Sequence, residues 1–166
     1  MKKTCSLAAV CLFLLLRSAS AESNLSVVFV HPEDYSDASY SSSFANAQDR
    51  ADVQRDIEQH LQRLAQRTLP PGDSLKIEVL DIDLAGRVEP FGSRIRSDVR
   101  VIRDISGPRM EIRYTLTRKD QATSSREERL SALHYLSSFN RYPNGDRLRY
   151  EKAMLDRWFV ERFGQR

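Results

Sequence analysis

Asp81 and Asp83 stand two residues apart in the run LKIEVLDIDL. On a strand that spacing puts both carboxylates on one face, about 7 Å apart. Such a pair offers hard oxygen ligands to Ca²⁺ or Mg²⁺, or two carboxylates for acid–base work. The following loop can bring Glu89 near them. No EF-hand spacing accompanies the pair. The competing reading is structural: a strand end whose carboxylates meet nearby arginines, since ion-pair networks imitate sites.

Glu151 is a second candidate. On a wheel of 100° per residue, Leu148, Met154, Leu155, Trp158 and Phe159 define an apolar face, and Glu151 falls inside it. An isolated buried charge is very costly, so this carboxylate needs a partner. Arg100, Arg109 and Arg113 are the candidates. The outcome is either an ion pair that orients the helix on a sheet or an acid of raised pKa in a cleft. Arg162 falls on the same face close to the helix end, where it can snorkel.

Other chemistry is missing from the sequence. His31, His60 and His134 lack H-x-H and H-E-x-x-H spacing. There is no G-x-S-x-G, no S-x-x-K and no glycine-rich phosphate loop. Arg94, Arg96, Arg100, Arg103, Arg109 and Arg113 crowd one region and suit anionic partners such as the phosphates of lipid or lipopolysaccharide. Asp98, Asp104 and Glu111 stand among them, which also fits a solvated face of mixed charge.

The elements that must position these residues follow from periodicity. Residues 24–30 (NLSVVFV) read as a β-branched strand stopped by His31-Pro32. Residues 33–45 have no apolar period and read as a long surface loop. Asn46 can cap a helix whose Val53, Ile57, Leu61 and Leu64 make one stripe, and Pro70-Pro71-Gly72 ends it. Residues 75–84 form the clearest strand. Leu75, Ile77 and Val79 share one parity and Leu80, Ile82 and Leu84 the other, so a β-bulge is expected near Val79-Leu80. Residues 88–97 hold Pro90 and Gly92 and read as a loop. Residues 98–105 read as a short strand, 110–117 as a half-buried strand and 122–130 as a polar edge strand. Leu133, Tyr135, Leu136 and Phe139 are expected to return the chain to the core, and residues 146–163 to form the last helix. The order is β-α-β-β-β-β-α. It predicts an α+β two-layer sandwich, with a mixed, mostly antiparallel sheet of about five strands and two helices on one face.

The first 21 residues read as a secretory signal peptide. Lys2 and Lys3 form the positive start, residues 7–16 the apolar segment, and Ala19-Ser20-Ala21 the cleavage site, with cleavage after Ala21. Ten apolar residues are too few to span a bilayer, and no later stretch is longer. The whole chain of 166 residues carries 26 Lys+Arg against 23 Asp+Glu. Cleavage removes Lys2, Lys3, Arg17 and both cysteines, Cys5 and Cys11. The remainder is formally neutral, with 20 arginines to 3 lysines. That balance argues against nucleic-acid binding, a disulfide scaffold, a cysteine enzyme and a Cys-ligated metal. The expectation is one exported, periplasmic domain over residues 22–166.

Residues 75–86 (LKIEVLDIDLAG) and 150–159 (YEKAMLDRWF) resemble the two signature segments of the bacterial secreted family called domain of unknown function 3016. The opening VVFVHPEDYSD, Leu69-Pro70, the DVRV run and Pro108-Arg109 fall in matching order. Two positions depart from the pattern: the turn after Leu116 lacks a glycine, and Ala132 replaces a usual acidic residue. The resemblance implies export and a compact domain, and it brings no activity with it. The leading expectation is a non-catalytic envelope domain that needs no cofactor, does not span the membrane, and binds an envelope protein or an anionic ligand. The alternative is a metal- or carboxylate-dependent hydrolase built on Asp81 and Asp83.

Overall fold

In a computed structural model the structure describes residues 24–40, 47–90, 98–119 and 121–164. The signal segment and its cleavage after Ala21, the Asn46 cap, and Arg94 and Arg96 lie outside the described residues.

Strand β1 (Leu25–Phe29) is followed by a 3-10 turn over Pro32–Asp34. Helix α1 (Ala47–Thr68) buries Val53, Ile57, Leu61 and Leu64, the stripe its sequence spacing predicts. Strand β2 (Ser74–Asp83) takes the centre of the fold. Strands β3 (Arg87–Pro90) and β4 (Asp98–Val101) make a separate antiparallel hairpin. Strands β5 (Arg109–Thr117) and β6 (Ser124–Ser131) return to the main sheet, and helix α2 (Arg149–Phe163) closes the chain.

The main sheet has the order β1-β2-β5-β6, with β1 parallel to β2 and the other neighbours antiparallel. Both helices contribute to one core with the sheet face that carries Leu75, Ile77, Val79, Ile82, Met110, Ile112, Tyr114 and Leu116. The α+β class and the two-helix arrangement are as the sequence predicts. The strand count of the sheet is four rather than about five. Both edges of β2 are already paired, to β1 and β5, so β4 pairs with Arg87–Pro90, which the sequence presents as loop because of Pro90.

The bulge falls where the parity change places it. Val79 pairs with Ile112 and Asp81 with Glu111, which leaves Leu80 as the extra residue. The insertion keeps Ile82 and Leu84 buried on the same face as Val79. It also gives β2 a second docking point. Beyond the end of β1, Asp37 bridges to Asp83, its amide donating to Ile82 O at 2.9 Å and its carbonyl accepting from Leu84 N at 3.0 Å. The Ser/Tyr-rich segment is therefore partly structural, with Ala38 and Ser39 buried.

One expectation fails clearly. Of Leu133, Tyr135, Leu136 and Phe139, Tyr135 alone is buried. The cause is the turn at His134, whose φ of 55° is left-handed. Its carbonyl accepts from the backbone amides and hydroxyls of both Ser137 and Ser138, at 3.0–3.1 Å. The turn buries Tyr135 and holds its apolar neighbours outward.

Candidate functional site

Asp81 and Asp83 do lie on one sheet face, the one opposite the helices. They are already engaged there. Asp81 accepts from the backbone amide and hydroxyl of Ser36, at 2.7 and 2.8 Å. Asp83 is gripped by both terminal nitrogens of Arg87, at 2.8 and 3.1 Å, and Arg109 Nε lies 3.7 Å away. Glu89 pairs with Arg103 in the small hairpin. The same face carries Lys76–Glu78, Arg113–Glu127 and Arg129–Glu111 pairs, a lattice of exposed charge. Among the described residues, the group of potential metal ligands drawn together is instead His31, Glu33 and Asp34, all exposed.

Glu151 is 2% exposed, as its place on the wheel requires. Its partner is not the expected one. Oε1 accepts from the Ala85 amide at 2.8 Å, and Oε2 is buried with no hydrogen-bond partner. Arg109 and Arg113 sit on the far side of the sheet because β5 alternates, sending Met110, Ile112 and Tyr114 to the core. Arg100 is close enough to favour the charged acid electrostatically, but it forms no ion pair with Glu151. It pairs with Asp37, at 2.9 and 3.0 Å, and donates to Ser39 O at 2.6 Å. Burial dominates, so the Glu151 carboxyl is pushed above its ordinary value despite Ala85 and Arg100.

Next to Ala85, whose amide binds Glu151, opens a cleft of about 240 Å³ between the Tyr40 segment, β4 and the start of α2. Its wall includes Ala85, Arg100, Ile102, Arg147, Arg149 and Tyr150. Arg147 Cζ lies over the Tyr40 ring, 3.8 Å from its centroid, and Arg149 Cζ lies over Tyr150 at 5.1 Å. Neither forms an ion pair with a described residue; Arg149 donates to Asn144. The nearby acid, Asp146, is neutralised by Lys152 at 2.6 Å. Burial opposes that carboxylate, yet Lys152 and the Leu148 amide hold it below its ordinary pKa. The Nε atoms of Arg100 and Arg149 are also buried without a partner. The cleft thus combines two aromatic rings and an excess of guanidinium charge, and its wall residue Ala85 holds the buried Glu151 behind it.

The sequence singled out Arg100 but missed Arg147 and Arg149. The Arg147-Leu148-Arg149-Tyr150 run just before α2, next to Asn144 and Gly145, was the signal available. His60 is buried, with Nε2 3.0 Å from Asp156 Oδ1, and Asp156 also takes Tyr142 OH and Arg141. That network ties α1 to α2. Burial works against the Asp156 charge, but these donors hold its pKa below the ordinary value.

These features define an α+β domain with an arginine-lined cleft and, behind its Ala85 wall, a buried glutamic acid. The sequence model of the family described as "Protein of unknown function (DUF3016)" matches residues 23–161, and the chain belongs to that family. Comparison with curated proteins and with solved structures gives no match. No described helix is long and apolar enough to cross a membrane.

Proposed function

We propose that the protein is an exported, periplasmic binding domain of the cell envelope that performs no chemistry, and that its cleft takes an anionic group. The observation that carries this reading is the pair Arg147 and Arg149, two guanidinium groups spread on Tyr40 and Tyr150 with no carboxylate partner among the described residues. Stacking on the rings fixes the orientation of each fork before a ligand arrives, which reduces the entropy lost on binding. Arg100 behind them is held by Asp37, so the uncompensated charge of the cleft rests on Arg147 and Arg149. Export rests on the composition of residues 1–21. The binding reading is favoured over the hydrolase alternative because Asp81 and Asp83 are engaged by Ser36, Arg87 and Arg109.

The test is a titration of the purified protein with inorganic phosphate, followed through the arginine Nε–H signals by NMR. The N-terminus is checked by mass, which should show Glu22 after export. The expected result is a saturable shift of the Arg149 and Arg100 signals that is weakened in Arg147→Ala. Unchanged signals with phosphate, sulfate and a carboxylate together overturn the reading.

A further inference from the structure

Four large apolar side chains stand out from the surface around the cleft. Phe139 is 92% exposed, Ile105 83%, Leu133 77% and Leu136 45%. They belong to two loops that are tied together at the end of the sheet where β2 and β6 finish and β5 begins. The Ala132 amide donates to Pro108 O at 3.3 Å, and Tyr135 OH donates to Arg103 O at 2.5 Å. Tyr135 packs edge-on against Tyr150 of the cleft wall, with centroids 4.7 Å apart. Asn140, next to Phe139, donates to Arg149 O at 3.0 Å. The apolar side chains and the cleft arginines therefore share one end of the molecule.

This exposure is built in. The left-handed His134 and the four donors on its carbonyl fix the turn that turns Leu133 and Leu136 outward while Tyr135 is buried. A soluble anion would use the arginines and leave four apolar side chains in water. A phospholipid surface uses both features at once, because it presents phosphate beside hydrocarbon.

We propose that this end docks on an anionic lipid surface. Phe139, Ile105, Leu133 and Leu136 enter the headgroup boundary, and Arg147 and Arg149 take the lipid phosphate. The inference rests on the anion-binding reading of the cleft and names its ligand as a phosphate held at a bilayer.

The experiment is co-sedimentation of the protein, purified after expression of the full chain and shown by mass to lack residues 1–21, with two kinds of vesicle. One is pure phosphatidylcholine and the other contains phosphatidylglycerol. Binding is expected to the second and to weaken with salt. Phe139→Ser with Leu133→Ser, both surface changes, should reduce it about ten-fold or more. Arg147→Ala should reduce it about five-fold. Equal binding to both vesicles overturns the anionic-lipid proposal, because phosphatidylcholine carries a phosphate but no net charge. Unchanged binding by the double serine variant overturns the apolar role. No vesicle binding while inorganic phosphate still shifts the arginine signals overturns the lipid proposal and leaves the cleft reading standing. Silence in both assays overturns both. A protein cross-linked through position 139 in cells, without vesicle binding, replaces the lipid with a protein partner.

Discussion

A carboxyl group with one amide donor and one empty oxygen sets the behaviour of Glu151. Its folded-state pKa is raised by burial above the ordinary 4.5. Below pH 4.5 it is neutral in both states, and its contribution to stability is fully present. As pH rises through the folded-state pKa, that contribution is lost, because the unfolded chain has already released the proton. Glu151→Gln keeps an acceptor for Ala85 and removes the charge. It should melt higher than the parent protein at pH 8 and equal to it at pH 4, measured by circular dichroism. A lower melting temperature at both pH values would show that attraction to Arg100 outweighs desolvation. Glu151→Leu instead orphans the Ala85 amide and should cost about 2 kcal/mol in urea unfolding. The wheel located this residue because helical period is a local property. It offered Arg100 among three arginines but not the Ala85 amide that Glu151 accepts from, and it could not place Arg100, which reaches the site through a hairpin that leaves the main sheet.

That departure happens at Gly86, the element-scale hinge of the cleft. Its φ of 80° is left-handed, and a Cβ there would come within 2.5 Å of Val101 O. Gly72 has a similar φ of 93° at the end of α1, but its nearest neighbour is the flexible Lys119 side chain at 3.5 Å. Gly72→Ala should cost about 1–2 kcal/mol, the strain of left-handed backbone alone. Gly86→Ala should cost clearly more and also weaken phosphate binding, since β4 carries Arg100. Equal costs in urea unfolding would show that the hairpin yields freely. The helices, the bulge and the alternating β5 were legible because burial of one face imposes a period. The β3–β4 hairpin was hidden, because Pro90 reads as a breaker and a two-stranded hairpin needs no apolar run. The exposed tip was hidden too, since sequence apolarity alone cannot separate a core residue from one that a turn holds in solvent.

At the scale of the molecule, one sheet face is packed and the other is a charged lattice that already contains both central aspartates. Chelator, Ca²⁺, Mg²⁺, Mn²⁺ and Zn²⁺ should leave the melting temperature unchanged. A metal bound at 100 times its dissociation constant would add about 2.7 kcal/mol, a shift of several degrees for a domain of this size. Such a shift, if lost in Asp81→Asn/Asp83→Asn, would return those residues to the status of a site. The excess of arginine was readable by counting, whereas which guanidinium groups find a counter-charge depends on distant contacts such as Arg100 with Asp37. The parallel pairing of β1 with β2 has a kinetic consequence as well. Leu25 lies opposite Leu75, about fifty residues along the chain, whereas β5 and β6 are joined by a short turn. Strand β1 thus has no sheet neighbour until α1 and β2 have followed it from the ribosome, and this edge of the sheet is the part that closes late, after the chain between them has been made.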